Sequence, residues 1–157
     1  METVVVKGVI ARRLKEEAEK LNLTLEEYLL ELLARNMDPK DRAREYIAAA
    51  SSLLVEAEEE LEKGNVRQAA EKVWGAAALA VKAYAFWREG KRLTSHGELW
   101  EYRRKLEAEL GDWVYDAWMA ANGMHTCFYE NWCDKRDVEK ALKAVRKLVE
   151  EVKQRIT

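Results

Sequence analysis

The sequence predicts an all-α protein: a helical bundle over residues 38–157, preceded over residues 1–37 by a small strand-helix-helix appendage. Three observations carry this. One proline and seven glycines are all that interrupt 157 residues. Ala, Leu, Glu, Lys and Arg dominate, which are strong helix formers. From about residue 38 onward, apolar positions recur in steps of three and four rather than alternating.

Taken in order, Thr3 to Ile10 hold a β-branched run that reads as a strand, with Thr3, Val5 and Lys7 on one face and Val4 and Val6 on the other. Ala11, Leu14, Ala18 and Leu21 then fall at helical spacing. Thr24 and Glu27 have the spacing of a capping box, and Leu23 and Tyr28 that of a hydrophobic staple, so a second short helix starts at Leu25. Asp38 and Pro39 are an N-cap and first-turn pair that opens a third helix, ending at Lys63-Gly64. Its stripe is Ala43, Tyr46, Ile47, Ala50, Leu53, Leu54, Ala57 and Leu61.

Asn65 and Gln68 suggest a further capping box for a fourth helix running to about Arg88. This helix is lined by alanines and is apolar nearly all round after Val73, so it is expected at the centre. Ser95 and Glu98 open a fifth helix that ends near Gly111, and Asp112 caps a sixth. Val138, Ala141, Leu142, Val145, Leu148, Val149 and Val152 mark a seventh. Connections of a few residues predict an up-and-down bundle.

The formal charge of −2 combines 27 basic and 29 acidic residues, interspersed rather than blocked, and forces neither a nucleic-acid nor a membrane partner. The longest nearly apolar stretch, Val73 to Trp87, contains Lys82 and is shorter than the roughly 20 residues a bilayer requires. The N-terminus has no signal-peptide pattern, and two cysteines imply no secretory framework, so the cytoplasm is the expected location. Cys127 and Cys133 read as free buried thiols, since a regular helix points them to different faces, although intracellular disulfides occur in hyperthermophiles. With His125 they make only three metal ligands at a spacing unlike a zinc knuckle, so neither metal nor cofactor is expected.

The segments GNVRQAAEKVWGAAALAVKAYA, RLTSHGELW and MHTCFYENW, in this order and at these separations, resemble the PaREP family of largely heat-loving archaea. That family is in turn similar to the HEPN superfamily of nucleotide-binding helical bundles. The resemblance implies a HEPN-like bundle, frequently dimeric, in a superfamily that includes RNA-cleaving toxins and non-catalytic binding members. Its ribonucleases carry an arginine a few residues ahead of a late histidine. A guanidinium holds developing phosphate charge while an imidazole moves a proton near neutral pH. His125 matches the histidine, but Trp118, Met119 and Ala120 stand where the arginine belongs.

His125 is thus the candidate acid or base if the protein is a metal-independent endoribonuclease, and the departure favours a binding role over catalysis. On a helix, Asn122 and Tyr129 lie beside His125, with Glu130 slightly round the face; Gly123 threatens that spacing. A second candidate cluster for a nucleotide or RNA phosphate is Arg92, His96, Arg103 and Arg104, in a basic region that pairing with Glu101, Glu107 and Glu109 accounts for equally well. The six tryptophans read as core or dimer interface ahead of base-stacking platforms. The N-terminal order resembles a ribbon-helix-helix, but a face with one charged residue reads bases poorly, so strand exchange in a homodimer ranks above DNA binding. An antitoxin-like or structural interaction protein is the remaining alternative.

Overall fold

Residues 2–156 are described in a computed structural model of the chain, and the regular structure among them is entirely helical. Contacts divide the chain into two units, Met1–Asn36 and Met37–Thr157.

The first unit holds α1 (Gly8–Lys20) and α2 (Leu25–Ala34). The Leu23 N–H donates to the Ala18 carbonyl at 3.0 Å, and Asn22 takes a left-handed conformation at φ 56°, which closes the turn between them. Thr24 accepts from the Glu27 N–H at 3.1 Å, as the capping-box spacing predicts. The strand expected over Thr3–Ile10 is not formed: residues 2–7 have no regular structure, and α1 begins at Gly8. A strand exists only by pairing its backbone with another, and among the described residues this chain offers none.

The second unit is built from α3 (Pro39–Glu62), α4 (Val66–Glu89), α5 (His96–Leu110), α6 (Trp113–Glu130) and α7 (Lys135–Ile156). α4 is the hub. It packs against α3, α5, α6 and α7, and every residue from Val73 to Phe86 is buried. The eight-residue stripe of α3 is buried as its spacing predicts, and so is the stripe of α7. Small side chains allow this close approach. A Cβ added at Gly75 would stand 3.2 Å from Leu53 Cδ1.

Some caps differ from expectation. Asp38 and Asp112 make no side-chain cap, and Asn65 donates to Glu60 at 2.8 Å instead of capping α4. Gly90 ends α4 in the left-handed conformation, with its N–H on Phe86 O and the Lys91 N–H on Ala85 O.

The contacts between elements give the chain direction. Tyr46 meets Phe86, Leu53 faces Gly75 and Lys72 pairs with Glu56, so α3 and α4 are antiparallel. Between α4 and α5 the order is reversed. Trp74 meets His96, while Tyr84 and Arg88 meet Glu109. α5 therefore runs in the same direction as α4, which corrects the expected up-and-down order. The cause is the linker after Gly90. Seven residue steps from Glu89 to His96 reach about 23 Å when extended, enough to return along about four turns of α4. Leu93, buried at 1% exposure, pins that return to the core. α6 then runs antiparallel to both, with Trp100 against Trp118 and Arg67 of α4 against Phe128.

Candidate functional site

The linker's return sets His96 on the middle of α4, where the Ser95 cap starts α5. The Glu98 N–H donates to Ser95 Oγ at 3.1 Å, and Thr94 Oγ1 donates to the Glu98 carboxylate at 2.7 Å. Hydrogen bonds from the Thr94 hydroxyl and N–H, and from the Ser95 hydroxyl, hold the Glu98 carboxyl below its ordinary range, despite the opposing effect of burial. His125 arrives from α6, which runs unbroken through Gly123, so Asn122, His125 and Tyr129 share one side of a continuous helix.

The two imidazoles meet. Their ring centroids are 5.0 Å apart, edge to face, and both rest on Trp74, at 5.2 Å for His96 and 4.8 Å for His125. Tyr129 adds its ring 5.2 Å from His125 and is 70% exposed. Behind them, the fully buried Trp118 touches Trp74 at 5.2 Å and Trp100 at 5.8 Å. His96 is exposed and His125 half-buried, so the pair lies at the rim of an aromatic cluster rather than within it. Burial first, and then the positive charge of His96, lower the His125 pKa from its ordinary 6.5.

Seven positions along α5 from His96, on the same side of the helix, Arg103 is only 7% exposed. Its guanidinium lies over the rings of Trp100 (5.4 Å) and Tyr115 (5.3 Å), and its Nη1 pairs with Glu107 at 2.8 Å. Arg103 thus braces the α5–α6 seam instead of meeting solvent. Arg104 is exposed and borders two surface depressions, one with Asp112 and Tyr115, the other with Lys105 and Glu101. Arg92 is exposed on the linker, Asn122 is half-buried one turn before His125, and Glu130 is exposed at the end of α6. The structure therefore unites His96, His125 and Tyr129 and sets Arg103 and Arg104 further along the seam. Elsewhere the basic region is ion-paired, through Arg88–Glu109 at 2.9 Å and Lys105–Glu89 at 2.5 Å.

Two contributors escaped the sequence reading. Trp74, the floor beneath both imidazoles, reads there as one of six core or dimer-interface tryptophans, without a link to either histidine. Arg67, in the first turn of α4, donates from Nε (2.9 Å) and Nη2 (2.7 Å) to the Phe128 carbonyl. It thereby caps the end of α6 next to Tyr129. No local spacing signals a contact across 61 residues.

Cys127 and Cys133 are joined as a disulfide, contrary to the expectation of free thiols. α6 stops at Glu130, and Asn131 at φ 55° turns the chain back, which brings the two Cα atoms to 5.7 Å. The geometry of a continuous helix therefore does not apply. Trp132, inside this covalent loop, packs 3.9 Å from where a Cβ of Gly123 would lie.

Comparison with known proteins gives two matches. The model of an archaeal family, PaREP1/PaREP8, matches residues 45–149, a span that contains every residue of the cluster and excludes the N-terminal unit. A protein from Sulfolobus solfataricus with a crystal structure is 28% identical, at a TM-score of 0.60, over 66% of this chain and 92% of that one. No curated protein matches. No helix among the described residues is long and apolar enough to cross a membrane.

Proposed function

Because the chain belongs to the archaeal PaREP1/PaREP8 family, we propose that it is a HEPN-like, cytoplasmic binding protein whose imidazole pair takes the phosphate of a nucleotide or short RNA. The observation that supports this is the edge-to-face contact of His96 and His125 at 5.0 Å, one ring exposed and the other half-buried. Two imidazoles this close cannot both gain a proton cheaply without an anion beside them. A phosphate supplies that anion and accepts hydrogen bonds from both rings. Tyr129 presents an open ring on which a base stacks, and the exposed Arg92 and Arg104 would meet phosphates further along a strand.

The test is titration of histidine-labelled protein with mononucleotide and with short single-stranded RNA. Both imidazoles should shift, and the His125 pKa should rise towards or above 6.5 as the anion binds. Unmoved rings together with an unchanged melting temperature reject the reading.

The same contact favours a second reading, metal-independent RNA cleavage. Neutral His125 takes the proton of a ribose 2′-hydroxyl, and the 2′ oxygen bonds to phosphorus as the bond to the 5′ oxygen breaks. Protonated His96 gives its proton to that departing oxygen. The products are a 2′,3′-cyclic phosphate and a 5′-hydroxyl, which balances the step without a cofactor. In chelator, cleavage falling about 10²–10⁴-fold on His125→Gln or His96→Gln supports this reading. RNA that stays intact leaves only binding.

A further inference from the structure

We propose that the Met1–Asn36 unit is a self-association module, in which Thr3–Val6 pairs antiparallel with the same residues of a second copy of this chain. At 36 residues the unit lies below the roughly 40 residues at which a domain ordinarily needs a disulfide, a metal or association to fold. Both cysteines are in the other unit, as are both histidines. Association is the remaining route.

The surface agrees. Val4 is 87% exposed, Val5 72%, Val9 64%, Ile10 65% and Leu33 78%. Most of the large apolar side chains exposed among the described residues belong to this unit. Ahead of α1, Thr3–Val6 is β-branched and without regular structure, so its backbone is free to form a ladder.

Symmetry and charge indicate the partner. A two-fold axis perpendicular to an antiparallel ribbon keeps like-numbered residues on the same face, so Val4 and Val6 of both copies form one four-valine surface. That surface is what α1 and α2 of both copies need as a lid, since a two-stranded ribbon is marginal until it packs on helices. The Thr3–Val6 run carries no charge of its own and is bounded by Glu2 and Lys7. Antiparallel pairing places the two Glu2 side chains, and likewise the two Lys7 side chains, at opposite ends of the ribbon, whereas parallel pairing sets like charges together. The module lies outside the family-matched residues 45–149, so this inference does not depend on the phosphate reading.

The test is sedimentation of the intact chain and of Val4→Asp/Val6→Asp, with all six tryptophans, which lie in the second unit, reporting separately on the bundle. The wild type should sediment at twice 18.2 kDa and the double variant at 18.2 kDa, with the tryptophan-detected unfolding midpoint unchanged. A monomeric wild type at every soluble concentration overturns the proposal, and so does a double variant that stays dimeric. Amide exchange is a second measure on the unmutated protein: every second N–H along Thr3–Val6, those that face the other strand, should be protected in the dimer, and exchange of all of them at the free-peptide rate also overturns it.

Discussion

At the scale of residues, the site depends on one proton. His125 holds its proton less firmly in the folded chain than in the unfolded one, because burial and then the His96 charge oppose the cation. Between the folded pKa and the ordinary value of 6.5, the unfolded chain therefore binds more protons, and stability rises with pH across that window. The stabilisation is present above 6.5 and is lost as pH falls through the folded value. Melting temperature should accordingly drop as the protein is acidified from 6.5 towards the folded value, and His125→Gln should flatten that part of the profile. An equally steep profile in the variant would assign the acid sensitivity elsewhere. Arg67→Gln removes two charge-assisted hydrogen bonds to the Phe128 carbonyl at an exposed position, at a cost of about 1 kcal/mol in urea unfolding, with the Tyr129 and His125 resonances moving as the end of α6 loosens. The grouping of Asn122, His125 and Tyr129 was legible because helical offsets are local. The meeting of His96 with His125, and the Trp74 floor, was not, because both are contacts between elements whose approach no spacing encodes.

At the scale of elements, α4 organises the bundle by being thin. Ala77 is fully buried, so Ala77→Leu forces extra methylenes into a packed hub and should cost about 1–3 kcal/mol. Gly75→Ala is a control on the same helix. Its gain of about 1 kcal/mol in helix propensity opposes a contact with Leu53 Cδ1 that yields by rotation, so the net change should stay within about 1 kcal/mol. If chemical denaturation gave the two variants equal losses, close packing would not be what holds the hub. Helix stripes were readable because burial repeats with the helix period. The connections were not: the extended return over 90–95 and the reversal at Asn131 depend on where a chain goes after a helix stops. That second reversal also brings Cys127 to Cys133. Its short loop predicts a loss of about 2 kcal/mol on reduction, detectable as a lower melting temperature in dithiol and sited at the end of α6.

At the scale of the whole molecule, the two units are stabilised in different ways. The bundle buries its hub on all sides, whereas the N-terminal unit exposes the side chains that would form its core. The sequence showed the β-branched run and both short helices, but a strand is a property of a pair, and one chain contains only half of it. Linkage separates the two kinds of stability. A fold that depends on a second copy melts at a temperature that rises with protein concentration, while a self-sufficient one does not. Tryptophan emission, confined to Met37–Thr157, should therefore give a midpoint independent of concentration. Far-ultraviolet circular dichroism, which also sees α1 and α2, should show an additional helical loss that moves upward as the protein is concentrated. If both probes shifted together, association would have to run through the bundle, and the N-terminal unit would be a passenger on it.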